Sequence, residues 1–171
     1  VRHTPARILD TRKTLPGWRS LQKWAVALGG GTNHRFSLGD GLLIKDNHLA
    51  LLPKGRQAVR TACRLAHRDA SHAIPLIVEV ESLAEVRQAL AGKADIILLD
   101  NMTPAMVKQA VALIRRRAIV EVSGGITLKN ARAMAQAGAD RISIGALTHS
   151  APAATMSLEL TPVRRPRRPR R

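Results

Sequence analysis

Aromatic residues are nearly missing from this 171-residue chain, which has no tyrosine, one phenylalanine and two tryptophans. Modules that bind single-stranded nucleic acid stack bases on aromatic platforms, so this scarcity argues against them. Cysteine is equally scarce. Cys63 alone excludes a disulfide framework and a cysteine-based zinc site. With no signal peptide ahead of the first strand-like run, it points to a reducing, cytoplasmic setting. No apolar run approaches the roughly 20 residues that a membrane-spanning helix needs. Acidic residues are few, 12 against 28 Lys and Arg, giving a net charge of +16. Six of these charges lie in residues 164–171, where arginine pairs alternate with Pro166 and Pro169. Such a run neither forms a helix nor packs a core. Residues 161–171 are therefore expected to be a disordered, solvated tail, and residues 1–160 an α/β domain. With 45% of residues apolar, that domain can bury a real core. The start at Val1 without Met, taken with the tail, reads as a fragment or an altered gene product.

Short apolar, β-branched runs predict strands at residues 7–10, 41–45, 76–80, 95–99, 119–122 and 141–144. Most are continuous rather than alternating, as in parallel strands covered on both faces. Helical patterns lie between them. Leu21, Trp24, Ala25 and Leu28 form one apolar stripe, ending at Gly29-Gly30-Gly31. Val59, Ala62, Cys63 and Ala66 form another. Ser82 with Glu85, Thr103 with Pro104, and Thr127 supply helix-start signals. Cys63, Met106 and Met134 on these stripes read as core filler. The pattern is that of βα units in a parallel sheet, and six strands make either an open doubly wound sheet or most of a (β/α) barrel.

Polar groups follow every predicted strand, and both architectures bind ligands at that rim. Short loops are polar in any case, which accounts for one or two positions but not six in register. Arg12, Lys13, His34, Arg35, Lys45 and His48 form a cationic set that would repel itself without a multiply charged anion among its members. Planar arginine suits carboxylates and lysine suits phosphate. Glu79 and Glu81, two apart, are expected to share the inner face of their strand. Burying them calls for lysines or a magnesium ion, with Asp100 as a third carboxylate. Ser123-Gly124-Gly125-Ile126-Thr127 and Ile144-Gly145-Ala146-Leu147-Thr148 each leave a strand and open a helix, the pattern of a phosphate cradle. No cysteine nucleophile or Ser–His–Asp order is visible, which favours transfer chemistry on a phosphorylated sugar.

Seven motifs together resemble those of quinolinate phosphoribosyltransferase, the decarboxylating enzyme of NAD synthesis. They are Ile8-Leu9-Asp10-Thr11-Arg12-Lys13-Thr14-Leu15-Pro16-Gly17, Gly29-Gly30-Gly31-Thr32-Asn33-His34-Arg35, Leu43-Ile44-Lys45-Asp46-Asn47-His48, Glu79-Val80-Glu81, Leu98-Leu99-Asp100-Asn101, Ser123-Gly124-Gly125-Ile126 and Gly145-Ala146-Leu147-Thr148-His149-Ser150. The resemblance spans about residues 6 to 160. It implies a TIM-like, incomplete barrel, magnesium carried by the substrate, and, for the full-length protein, a homodimer or higher homo-oligomer. The substrates it implies are quinolinate and phosphoribosyl pyrophosphate, with no membrane or specific nucleic-acid partner.

By matching position, Arg12, His34, Arg35 and Lys45 would hold the quinolinate carboxylates, and Lys13 would face phosphoribosyl pyrophosphate. Glu79 and Asp100 would contact its ribose or magnesium. Ser123, Gly124, Gly145 and His149 would bind its 5′-phosphate. Lys13, Lys45, Glu79 and Asp100 are the catalytic set so implied. The resemblance also implies a further N-terminal α/β domain outside these 171 residues, and hence the expectation of an exposed apolar surface and of a fragment inactive by itself. A molybdenum-transport-associated relative shares the Thr-Arg-Lys-Thr and Gly-Gly-Gly elements, but Lys45-Asp46-Asn47-His48 and Asn33 favour the quinolinate enzyme. A basic polyanion-binding protein and a degenerate, non-catalytic fragment are the remaining alternatives.

Overall fold

A computed structural model describes residues 1–52, 57–70 and 73–162. Six strands, β1 (Arg7–Leu9), β2 (Leu42–Ile44), β3 (Leu76–Val80), β4 (Ile96–Asp100), β5 (Ile119–Ser123) and β6 (Arg141–Ser143), form one parallel sheet. The helices are α1 (Arg19–Leu28), α2 (Asp46–Ala50), α3 (Ala58–Asp69), α4 (Leu83–Ala91), α5 (Pro104–Ile114), α6 (Ala131–Gln136) and α7 (Ala146–His149). The expected tail falls mostly in residues 163–171, outside the described residues.

Strand order separates the two architectures that the sequence left open. It runs β1-β6-β5-β4-β3-β2, the cyclic order of a barrel opened between β1 and β2. A doubly wound sheet would instead reverse direction at an interior strand. The six strands are therefore an incomplete (β/α) barrel. Residues 32–41 cross the gap: Thr32 bridges Leu9, and the Arg35 guanidinium donates to the Gly41 carbonyl at 2.6 Å.

Alternation within each strand sorts the side chains. Val78, Val80, Ile97, Leu99, Val120, Val122 and Ile142 face outward into a fully buried layer, meeting Val86 and Ala89 of α4 and Val107, Ala110 and Ile114 of α5. Each such side chain contributes about 1.5–3 kcal/mol by leaving water. On the inner face Ile77, Ile96 and Leu98 pack with Leu43 and Ile119 in an apolar base, and Leu9 adds a further apolar position in register with Ser143. Above that base the other inward positions are polar.

The start signals act as expected at two helices. Ser82 Oγ accepts from Glu85 N–H, and Thr103 Oγ1 from Met106 N–H ahead of Pro104. Three expectations need correction. The stripe Leu21, Trp24, Ala25 and Leu28 faces solvent, because the inner face of α1 is held by polar contacts. Arg19 donates to Thr14 and Phe36, Gln22 to the Thr148 carbonyl, and Lys23 to Asp10. Leu128 is also fully exposed. Residues 127–130 form a turn closed by the Asn130 side chain, so α6 starts only at Ala131. Glu81, lastly, lies one residue beyond β3 and is exposed. Its N–H is held by Glu85 Oε2 at 2.8 Å, which turns the chain away from the inner face.

Candidate active site

The carboxyl ends of all six strands surround one cavity of about 640 Å³. All eleven residues singled out by position line it: Arg12, Lys13, His34, Arg35, Lys45, Glu79, Asp100, Ser123, Gly124, Gly145 and His149. His48 does not line it. Its Nδ1 accepts from Lys45 N–H in the first turn of α2, and its side chain is exposed.

The cavity has three sectors. In the first, the Lys45 ammonium donates to the Glu79 carboxylate. The pairing of β2 with β3 sets this contact, because Ile44 lies opposite Val78 and the next residues point inward together. Arg12 and Arg35 stand nearby, each with a buried Nε that has no partner among the described residues. Burial holds the Arg35 guanidinium below its ordinary range. The charge of Arg12 lowers it further, against smaller opposing effects of Glu121 and Asp40. Two half-buried guanidiniums lining one cavity, each with a buried Nε donor unspent, are arranged for an anion.

In the second sector, Asp100 Oδ1 accepts from Ser123 Oγ at 2.7 Å, and its Oδ2 from Asn101 Nδ2 at 2.7 Å. The Ser123 hydroxyl is thus spent on Asp100. The third sector is glycine-lined. Gly124 and Gly125 have φ of 85° and 58°, a left-handed pair that glycine adopts without strain. A Cβ at Gly124 would collide with the Asn101 amide, and one at Gly145 would come 2.7 Å from His149 Nε2. Neither glycine run opens a long helix: α6 begins six residues after Gly125, and α7 has four residues. The expected cradle is therefore made of strand-end glycines. Thr148 anchors it from below, its Oγ1 donating to the Lys13 carbonyl at 2.7 Å.

Sequence reasoning missed two groups. Glu121, fully buried, lines the cavity from the middle of β5. Its Oε1 lies 2.9 Å from His34 Nε2 and accepts from Ser143 Oγ at 2.6 Å. The signal was present: Glu121 is two residues from Ser123, hence on the same face. The second group is the buried pair Lys23–Asp10, with Nζ 2.6 Å from Oδ1. It grips the His34 backbone, since Asp10 accepts from His34 N–H at 2.7 Å and Lys23 donates to its carbonyl at 3.0 Å. Asn33, its amide nitrogen turned to Asp10 Oδ2 at 2.8 Å, completes the grip.

Among the described residues no three His, Cys, Asp or Glu side chains converge on a metal position, and no helix is long and apolar enough to cross a membrane. The model of the quinolinate phosphoribosyl transferase C-terminal domain matches residues 1–159. A nicotinate-nucleotide pyrophosphorylase [carboxylating] of Mycobacterium leprae is 46% identical over 166 residues, covering 94% of this chain and 56% of that protein. A probable enzyme of the same name from Bacillus subtilis is 43% identical over 155 residues, 91% of this chain and 52% of its own. The solved nicotinate-nucleotide pyrophosphorylase of Francisella tularensis superposes with a TM-score of 0.74 at 43% identity, over 85% of this chain and 50% of that one. The chain thus spans about half the length of the relatives it matches.

Proposed function

The chain belongs to the quinolinate phosphoribosyl transferase family, and from that premise we propose that its cavity transfers a phosphoribosyl group from phosphoribosyl pyrophosphate to quinolinate, with decarboxylation. The products are nicotinate mononucleotide, pyrophosphate and carbon dioxide. The observation that carries this reading is the placing of Arg12 and Arg35 beside Lys45 in one cavity, each half-buried with a buried Nε that has no partner among the described residues. A rigid dicarboxylate answers both the charge and the donors. None of the relatives described supports the molybdenum-transport alternative.

In this reading Arg12, Arg35 and Lys45 bind the carboxylates, while Lys13 and the glycine sector with His149 take the phosphates. Ser123 contributes by orienting Asp100. Loss of pyrophosphate leaves positive charge at the anomeric carbon, which Glu79 and Asp100, on neighbouring strands, stabilise electrostatically. Attack by the ring nitrogen then makes a pyridinium whose positive charge stabilises the electron pair left on the adjacent ring carbon as its carboxylate departs as carbon dioxide, and a proton from water takes that place. No protein nucleophile is needed, and orientation supplies much of the rate. A magnesium ion bound to phosphoribosyl pyrophosphate would neutralise its oxygens, and Glu79 and Asp100 would be the one or two carboxylates that such an ion takes from a protein.

A homodimer is part of the same reading, and so is a cytoplasmic setting. Supporting the dimer is the outward row Leu15, Trp18, Leu21, Trp24 and Leu28, each more than half exposed; an apolar patch of this kind marks a contact surface. The test supplies the remaining half of the polypeptide from the Mycobacterium leprae relative, fused ahead of Val1, and assays nicotinate mononucleotide formation with magnesium. Product that depends on Lys45 and Asp100 supports the reading. A folded, dimeric fusion that binds both substrates and makes no product contradicts it.

A further inference from the structure

His34 is expected, by matching position, to be a cation holding substrate, yet both its ring nitrogens are already committed. Its Nδ1 accepts the Arg35 N–H at 2.7 Å, and only a bare ring nitrogen can do so. Its Nε2 lies 2.9 Å from Glu121 Oε1 and carries the proton. The imidazole is therefore neutral and in a single tautomer. Glu121 sits at the level of Leu98 on the inner face, flanked across β4 by Glu79. Its own orientation is fixed by the Ser143 hydroxyl.

We infer that Glu121 is a positioning residue: it fixes the tautomer and ring orientation of His34, and through the Arg35 N–H it sets the backbone that aims the Arg35 guanidinium into the cavity. The physical case has three parts. A carboxylate with no exposed surface is costly unless its hydrogen bonds are essential to the arrangement around it. The other buried carboxylate here, Asp10, grips the same short segment from the opposite side through His34 N–H. Residues 32–36 are thereby clamped between two anions, one at the end of β1 and one on β5, and this segment crosses the gap in the barrel. Arg35 also reaches the far side of that gap at the Gly41 carbonyl, so a rotated His34 would displace both its backbone and its anchor. This role concerns the dicarboxylate end of the cavity and rests on the function proposed above. Oε2 of Glu121, buried and unpartnered among the described residues, makes the glutamine variant informative: glutamine keeps one acceptor oxygen for His34 and replaces the other oxygen by a donor.

The test uses the whole chain with 15N-labelled histidine, the His34 signals being identified by their loss in His34→Asn. Ring-nitrogen shifts in the wild type should show a protonated Nε2 and a bare Nδ1. Glu121→Ala should lose the single tautomer and weaken quinolinate binding, titrated calorimetrically, about tenfold or more. Glu121→Gln should keep the tautomer and bind within about threefold of wild type. A wild-type His34 protonated at Nδ1 overturns the inference whether or not any variant folds. So does an unchanged tautomer in folded Glu121→Ala. A Glu121→Gln protein with the tautomer intact but affinity as low as Glu121→Ala also overturns it, because Glu121 would then act on the ligand directly. Absence of quinolinate binding by the wild type would defeat the proposed function alone, since the ring signals still decide the role of Glu121.

Discussion

Lys23 occupies the one fully buried position of α1, and its whole justification is Asp10. Removing one partner of such a pair strands a charge out of water, at a cost of about 3–5 kcal/mol. Lys23→Met should therefore lower unfolding stability by that amount in urea titration, and Lys23→Met with Asp10→Asn should recover part of it. Cys63 tests burial in another way. Desolvation pushes its thiol up to about 11, so the native fold keeps it protonated where an unfolded thiol ionises, near pH 8.5. The raised value stabilises the fold fully below pH 8.5, and that contribution is lost as pH rises toward 11. Thiol titration with an aromatic disulfide at pH 8 should find Cys63 unreactive until denaturant is added. A prompt native reaction would contradict its placement under α4, where a Cβ on Gly92 would come 2.7 Å from its sulfur. Lys23 was not legible in the sequence, because nothing in a helical pattern marks one lysine as the inward one. Glu121 was legible in principle from its two-residue spacing to Ser123.

Strands were the most legible elements. Their continuous apolar runs reflect burial on both faces, and β3 falls at the residues expected, 76–80. Helix faces were less so. Periodicity correctly gave α1 a stripe of Leu21, Trp24, Ala25 and Leu28, but it reports that a face is apolar, not what the face meets. Polar contacts from Arg19, Gln22 and Lys23 turned that stripe outward. If a second copy covers it, the wild-type chain should sediment as a dimer. Trp24→Glu with Leu28→Glu should sediment as a monomer with unchanged circular dichroism. A monomeric wild type would remove the argument for a dimer through α1. The glycine-rich turns were legible as turns at the strand ends; Gly145 opens α7 as expected, whereas the side chain of Asn130 closes a separate turn between Gly125 and α6.

At the scale of the molecule, the excess charge divides in two. Part belongs to residues 164–171, and part converges with Arg12, Lys13, Arg35 and Lys45 on one cavity at the strand ends. The cyclic strand order makes that convergence possible, since each inward position near a carboxyl end faces the same space. Sequence spacing located Arg12, Lys13 and Lys45 because each follows an apolar run. It could not show Arg12 and Arg35 lining one cavity, which depends on how residues 32–41 cross the open side of the barrel. Because among the described residues no cavity residue lies beyond His149, removing residues 161–171 should leave quinolinate affinity unchanged in calorimetry, while weakening adsorption to a polyanion such as heparin. The most direct measurement titrates quinolinate into the chain and into Arg12→Ala and Lys45→Ala. We predict saturable binding to the wild type, weakened about tenfold or more in each variant, a loss of about 1.4 kcal/mol. Equal affinity across all three folded proteins would contradict the assignment of this cavity to a dicarboxylate.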